Sequence, residues 1–165
     1  MNIFVLDTEP FIAAKYHSDV HLRVMIKESA QMMSVAHRLL DNRVDVYKTT
    51  HVNHPCMRWT RQSMTNYEWL YELYCSMHEE YIRRFNKPHL SYTALAHLLK
   101  QPPEHIDDIG LLPFAQAMPV EYRQPDVVQA YRHYYCTKLH FCQWTPPGYK
   151  PWWVSEFLLK QSKTL

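Results

Sequence analysis

His17, His21 and Glu28 are the first residues of this chain whose types and spacing suggest chemistry. At about 100° per residue, positions 17, 21, 24, 28 and 31 of a helix line up as a narrow stripe of His17, His21, Val24, Glu28 and Gln31. A carboxylate and two imidazoles in one row can exchange protons with a bound substrate. The same row is also what a solvated helix face with chance histidines looks like. A metal site could use His17 and His21 at i, i+4, with Glu28, His51 or His54 completing the set. However, H-S-D-V-H lacks the Glu that follows the first His in a zinc-protease helix, so neither a metal nor another cofactor is expected.

Two further constellations lie downstream. In T50-H-V-N-H-P-C-M-R-W59, the residues His51, Asn53, His54 and Arg58 could line a pocket, with Trp59 as a stacking face for a base. The alternative is that His54-Pro55 starts a helix and Trp59 is core. The C-terminal part interleaves cations with flat rings at Arg132, His133, Tyr135, Lys138, His140, Trp144, Tyr149, Lys150, Trp152 and Trp153. That mixture suits a phosphate backbone and unstacked bases, or else the tryptophans lock the C-terminus onto the domain.

The element that must carry the first row is Ser18 to Asn42, about seven helical turns without Gly or Pro. Its Leu22, Met25, Ile26, Ser29, Met32, Met33, Ala36 and Leu40 recur at three- and four-residue spacings and predict a buried side. A second long helix, Met64 to Asn86, carries a wide aromatic stripe through Tyr67, Leu70, Tyr71, Tyr74 and Tyr81. The two are expected to pack antiparallel as the core of an all-α, compact single domain over residues 1–165. Ile3 to Leu6 reads as a short buried strand or an extended arm. Thr8 looks like the cap of a short helix Glu9 to Tyr16, and residues 44–54 read as a loop. Pro55 opens a short helix and Ser91 caps another to Lys100. A long acidic loop then spans 101–124, a last main helix runs from Gln124 or Pro125 through Trp144, and a short helix follows Y149-K-P-W-W-V154.

Composition bounds the partners. The chain has 165 residues, enough for one domain with a real core, and 18 basic against 16 acidic residues leave it at +2. The C-terminal segment 125–165 is the basic end. Two glycines argue against hairpin-rich β structure and a glycine-rich phosphate loop. Four cysteines without C-x-x-C spacing read as reduced thiols, and no stretch has the length of a membrane span. A soluble, cytoplasmic protein without a membrane partner, monomeric in solution, is the expectation.

The register D19-V-H21-L22, with Glu28 seven residues after His21 in a helical run to about residue 42, resembles the catalytic helix of the phage pyrimidine-dimer DNA glycosylase/AP lyases of the endonuclease V type. H54-P55-C-M-R-W, then N66-Y-E-W-L and a long helix to R83-R84-F-N, is similar to the next segment of that family, and Y149-K-P-W-W is loosely similar to its aromatic C-terminus. The whole chain also resembles phage proteins that open M-N-I-F-V-L-D and share H-P-C…W and N-Y-x-W-L. The resemblance covers most of residues 1–100.

It implies a helical domain that binds and bends double-stranded DNA and expels a base from the stack. An N-terminal α-amine would attack the sugar C1′ with help from a carboxylate, giving an imine and then strand cleavage. By position the carboxylate is Glu28, with His21 beside it and Lys27 as a DNA contact. Gln31, His17, His51, Asn53, His54, Arg58, Trp59, Arg61, Lys150 and Trp152 complete the expected nucleic-acid surface. Two positions depart from the family pattern. Its members expose the amine of a Thr after the initiator Met, whereas Asn2 stands here. Either the Met1 amine is the nucleophile or no imine forms. Its further arginines would fall at Gln31 and Ile3. The expected function is a phage DNA glycosylase/AP lyase acting on damaged or modified pyrimidines. The alternatives are a base-modifying DNA transferase on the same scaffold and a non-catalytic protein that binds nucleic acid or a host factor.

Overall fold

The computed structural model describes residues 1–162, and among them the regular structure is helical. The α-helices are α1 (Pro10–Tyr16), α2 (Asp19–Leu40), α3 (Pro55–Thr60), α4 (Met64–Phe85), α5 (Leu90–Leu99), α6 (Val127–Cys136) and α7 (Trp152–Ser162). The two long helices run antiparallel. His37 near the end of α2 meets the hydroxyl of Tyr67 near the start of α4 at 3.0 Å, while Asp19 at the start of α2 meets Arg84 near the end of α4 at 3.1 Å. Their facing sides bury Leu22, Ile26, Met32, Met33, Leu70, Tyr74 and Met77, and α1, α3 and α5 close around them.

Several boundaries differ from the sequence expectation, each for a local reason. Glu9 rather than Thr8 precedes α1, whose first residue Pro10 needs no N–H partner. His89, not Ser91, caps α5 by accepting the Ser91 N–H on its ring. The last main helix stops at Cys136 instead of Trp144. There the Thr137 hydroxyl bonds back to the Tyr134 carbonyl, and a single 3-10 turn, Leu139–Phe141, follows.

The first six residues form the arm that the sequence left open between strand and extended chain. Among the described residues no ladder pairs it, yet residues 2–6 are at most 8% exposed. Phe4 lies among the rings of His21, Tyr131, Tyr134 and Tyr135. Helix α6, capped by the Asp126 side chain, supplies the floor of this channel, with Tyr131 and Tyr135 one turn apart and fully buried. The long loop after α5 is tied down by side chains. Ser63 donates to the Gly110 carbonyl, and the Asn66 amide accepts the Leu112 N–H while donating to the Trp59 carbonyl. This brings Ala117 alongside the arm.

Candidate active site

The arm ends against the middle of α2. The Met1 ammonium lies 3.6 Å from Glu28 Oε1, and the Asn2 N–H donates to Glu28 Oε2 at 2.8 Å. The carboxylate thus meets the N-terminal nitrogen with one oxygen and the first peptide N–H with the other. The Met1 side chain is only 6% exposed and that of Glu28 18%, so the terminal residue is seated in the fold.

Asn2 fixes that seat. Its Nδ2 donates to the Ala117 carbonyl at 3.0 Å, and its Oδ1 accepts the Ile3 N–H at 2.8 Å. The Tyr131 hydroxyl lies 3.0 Å from the same oxygen, and the Cys56 thiol 3.7 Å. Burial holds the Tyr131 phenol protonated, and it pushes the Cys56 thiol up to about 11. Both groups are therefore neutral donors at neutral pH. Asn2, Tyr131 and Cys56 were not among the expected site residues. A buried asparagine in an otherwise apolar arm was the available signal, because a buried amide must find partners.

His54 stands at the start of α3, where its Nδ1 accepts the Cys56 N–H at 3.2 Å. Burial, then the Met1 ammonium, then His51 keep its imidazole below the ordinary histidine range. His51 adopts a left-handed backbone, φ 47°, uncommon for a side-chain-bearing residue and a local strain in the loop that presents the site. His51, Asn53 and Arg58 are exposed, as is Lys27, the residue before Glu28, and Gln31 is half-buried.

Other expected site residues lie elsewhere. His17 is not on α2, since the chain turns at His17–Ser18 between α1 and α2, and the helical phase does not extend back to it. Its ring is fully buried, bonded through Nδ1 to the Ala13 carbonyl, and burial lowers it to about 3. His21 shares hydrogen bonds with the Tyr135 hydroxyl at 2.6 Å and Ser18 Oγ at 3.0 Å, and burial lowers it to about 4. Seven residues along the helix separate it from Glu28 by about 10 Å, so it braces the arm through Phe4 instead of orienting the carboxylate. Trp59 is 2% exposed, donates to the Leu112 carbonyl and stacks on Phe114, so its face is core. Arg61 donates to the Val52 carbonyl and braces the loop that carries His51 and His54.

The basic aromatic C-terminal segment gathers at the other end of the arm. Arg132 donates to the Leu6 carbonyl and Asp7, and it lies over the rings of Tyr16, Trp152 and Trp153. A cleft of about 500 Å³ opens here between α6 and α7 and is lined by Arg132, His133, Trp152 and Phe157 among others. Glu28 is not among its walls. Trp152 and Lys150 are exposed. Among the described residues no three His, Cys, Asp or Glu side chains converge as a metal would require, and no helix is long and apolar enough to cross a membrane.

No curated protein and no solved structure matches the chain. The family description "Pyrimidine dimer DNA glycosylase" matches residues 1–93, the span that contains the arm, α2 with Glu28, and α3 with His54. With more than half of its length matched and its terminal amine set against a helix-borne carboxylate, the chain belongs to the pyrimidine dimer DNA glycosylase family.

Proposed function

We propose that this protein is a DNA glycosylase/AP lyase acting on damaged or modified pyrimidines in duplex DNA, with the α-amine of Met1 as nucleophile and Glu28 as its acid/base partner. The observation that carries this reading is the 3.6 Å approach of the Met1 nitrogen to Glu28 Oε1, with Oε2 held by the Asn2 N–H. The seat of Met1 supports its own amine as the nucleophile although Asn2 stands where the family has a threonine. Asn2 is tied down through both ends of its side chain, and the residue before it supplies the amine.

Glu28 takes a proton from the ammonium, and the freed amine attacks C1′ as the bond from C1′ to the pyrimidine breaks. The base leaves with the electron pair of that bond. The sugar ring opens as the nitrogen lone pair forms the imine, and the ring oxygen takes up a proton through Glu28. Loss of a C2′ proton then expels the 3′ phosphate by elimination, and water releases the amine. Lys27, Gln31, His51, Asn53 and Arg58 would meet the DNA, with Lys150 and Trp152 as further contacts.

Borohydride trapping tests this on matched duplexes carrying no lesion, a cyclobutane pyrimidine dimer or an abasic site. The expected result is a reduced adduct that maps to the Met1 nitrogen on the dimer and abasic duplexes, with a nicked strand when borohydride is omitted. Glu28→Gln should slow trapping about 10³-fold. Duplexes that are bound but neither trapped nor cut would remove the lyase reading and favour base modification on the same scaffold.

A further inference from the structure

Two helices of this protein begin under a histidine, and the pair differs in one atom's surroundings. His54 caps α3 by accepting the Cys56 N–H on Nδ1 at 3.2 Å, and His89 caps α5 by accepting the Ser91 N–H on Nδ1, also at 3.2 Å. A backbone N–H can only donate, so in each neutral ring Nδ1 holds the lone pair and Nε2 the proton. His89 uses that proton on the Arg23 carbonyl at 3.0 Å. The Nε2–H of His54 has no acceptor among the described residues, although the ring is half-buried.

His54 also stands near the proposed nucleophile. The Cys56 thiol reaches Asn2 Oδ1, so the first turn of α3 lies against the residue that follows Met1. The Met1 charge bears on both His54 and Cys56. Protonating His54 would cost the cap its acceptor and set a second cation beside the ammonium. The site therefore keeps a neutral imidazole that can donate without competing for the proton of Glu28, the arrangement by which a neutral histidine polarises a substrate oxygen.

We infer that His54 is a catalytic hydrogen-bond donor, its Nε2–H directed at the oxygen on C1′ that gains negative charge as the Met1 amine adds and the imine forms. This rests on the amine reading above. The proton stays on Nε2 throughout, and those that leave with the oxygen come from the ammonium through Glu28.

The test measures borohydride-trapped adduct on an abasic duplex, with duplex affinity and melting temperature followed in parallel. His54→Ser keeps a helix cap but ends short of the substrate, and His54→Gln places an amide N–H near the former Nε2. Trapping should slow about 10²-fold in the serine variant, the usual loss for one such donor, and recover at least tenfold in the glutamine variant. A purely structural cap predicts the reverse order, because serine caps helices well and glutamine does not. His89→Ser serves as the control and should trap at the wild-type rate. Wild-type trapping by His54→Ser, or a serine variant faster than the glutamine one, overturns the inference and leaves the amine reading intact. An untrapped wild-type protein brings down both.

Discussion

Helix α2 carries two carboxylates in opposite circumstances, nine residues and about 13 Å apart along its axis. Asp19 belongs to a closed cluster. Arg84, with no exposed side-chain surface, spends its donors on Glu80, Asp19 and the carbonyls of His17 and Lys15, while Thr145 gives Asp19 both its N–H and its hydroxyl. Four parts of the chain meet there and each charge is saturated. Glu28 keeps one tight hydrogen bond and a looser ammonium contact. Charge that holds the fold together is satisfied by several elements at once, whereas charge that can do chemistry keeps a partner it can exchange.

The largest effect should separate the two. Arg84→Met leaves Asp19 without its cation and Glu80 with Arg83 alone, and should lower unfolding free energy by about 3–5 kcal/mol in urea titrations. Glu28→Gln should cost less than about 1 kcal/mol while slowing trapping about 10³-fold. If the two substitutions destabilise equally, the Met1–Glu28 pair is architecture and the contrast collapses.

Acid should attack the α1–α2 turn next. His17 and His21 are held neutral, lowered to about 3 and about 4, while their unfolded forms titrate near the ordinary 6.5. A folded pKa below the unfolded one means the unfolded state binds more protons between those values. The stability of the neutral rings is therefore complete above about pH 6.5 and is lost as pH falls toward 4 and then 3. Each histidine contributes at most about 1.4 kcal/mol per pH unit. Urea midpoints measured from pH 7 to 4.5 should fall steadily, and a flat profile would mean these rings are not sealed.

The smallest of the three concerns Gly148, beside Arg84. A Cβ there would come within 2.5 Å of Arg84 Nε and 2.8 Å of the Thr145 carbonyl. Gly148→Ala should cost about 1–3 kcal/mol, read as a shifted urea midpoint with trapping unchanged. A neutral outcome would show that the closed cluster has more room than its hydrogen bonds imply.

The sequence made the helical frame readable because α2 and α4 are long, free of Gly and Pro, and strongly periodic. Glu28 was readable through its place in that period and its spacing from His21. The roles of the histidines were not, since helical phase says which side a residue takes but not whether another element covers it. His17 and His21 disappear beneath Phe4 and Tyr135, and Tyr135 is more than a hundred residues away. Trp59 has the residue type of a stacking platform, and only the path of the loop after α5 decides that Phe114 occupies its face. The partners of Asn2 were hidden for the same reason, because no local pattern pairs residue 2 with residues 56, 117 and 131.

The seat of Asn2 also has a kinetic consequence. Its contacts span 26 residues to Glu28, 54 to Cys56, 115 to Ala117 and 129 to Tyr131. Contacts of such sequence separation carry the highest loop-closure entropy and form late in folding. The full seat of the proposed nucleophile therefore draws on residues beyond the span 1–93 that carries the family match, even though that span holds both Met1 and Glu28. If the amine acts as proposed, its reactivity toward an aldehyde reports on a chain in which α6 has docked against Asn2.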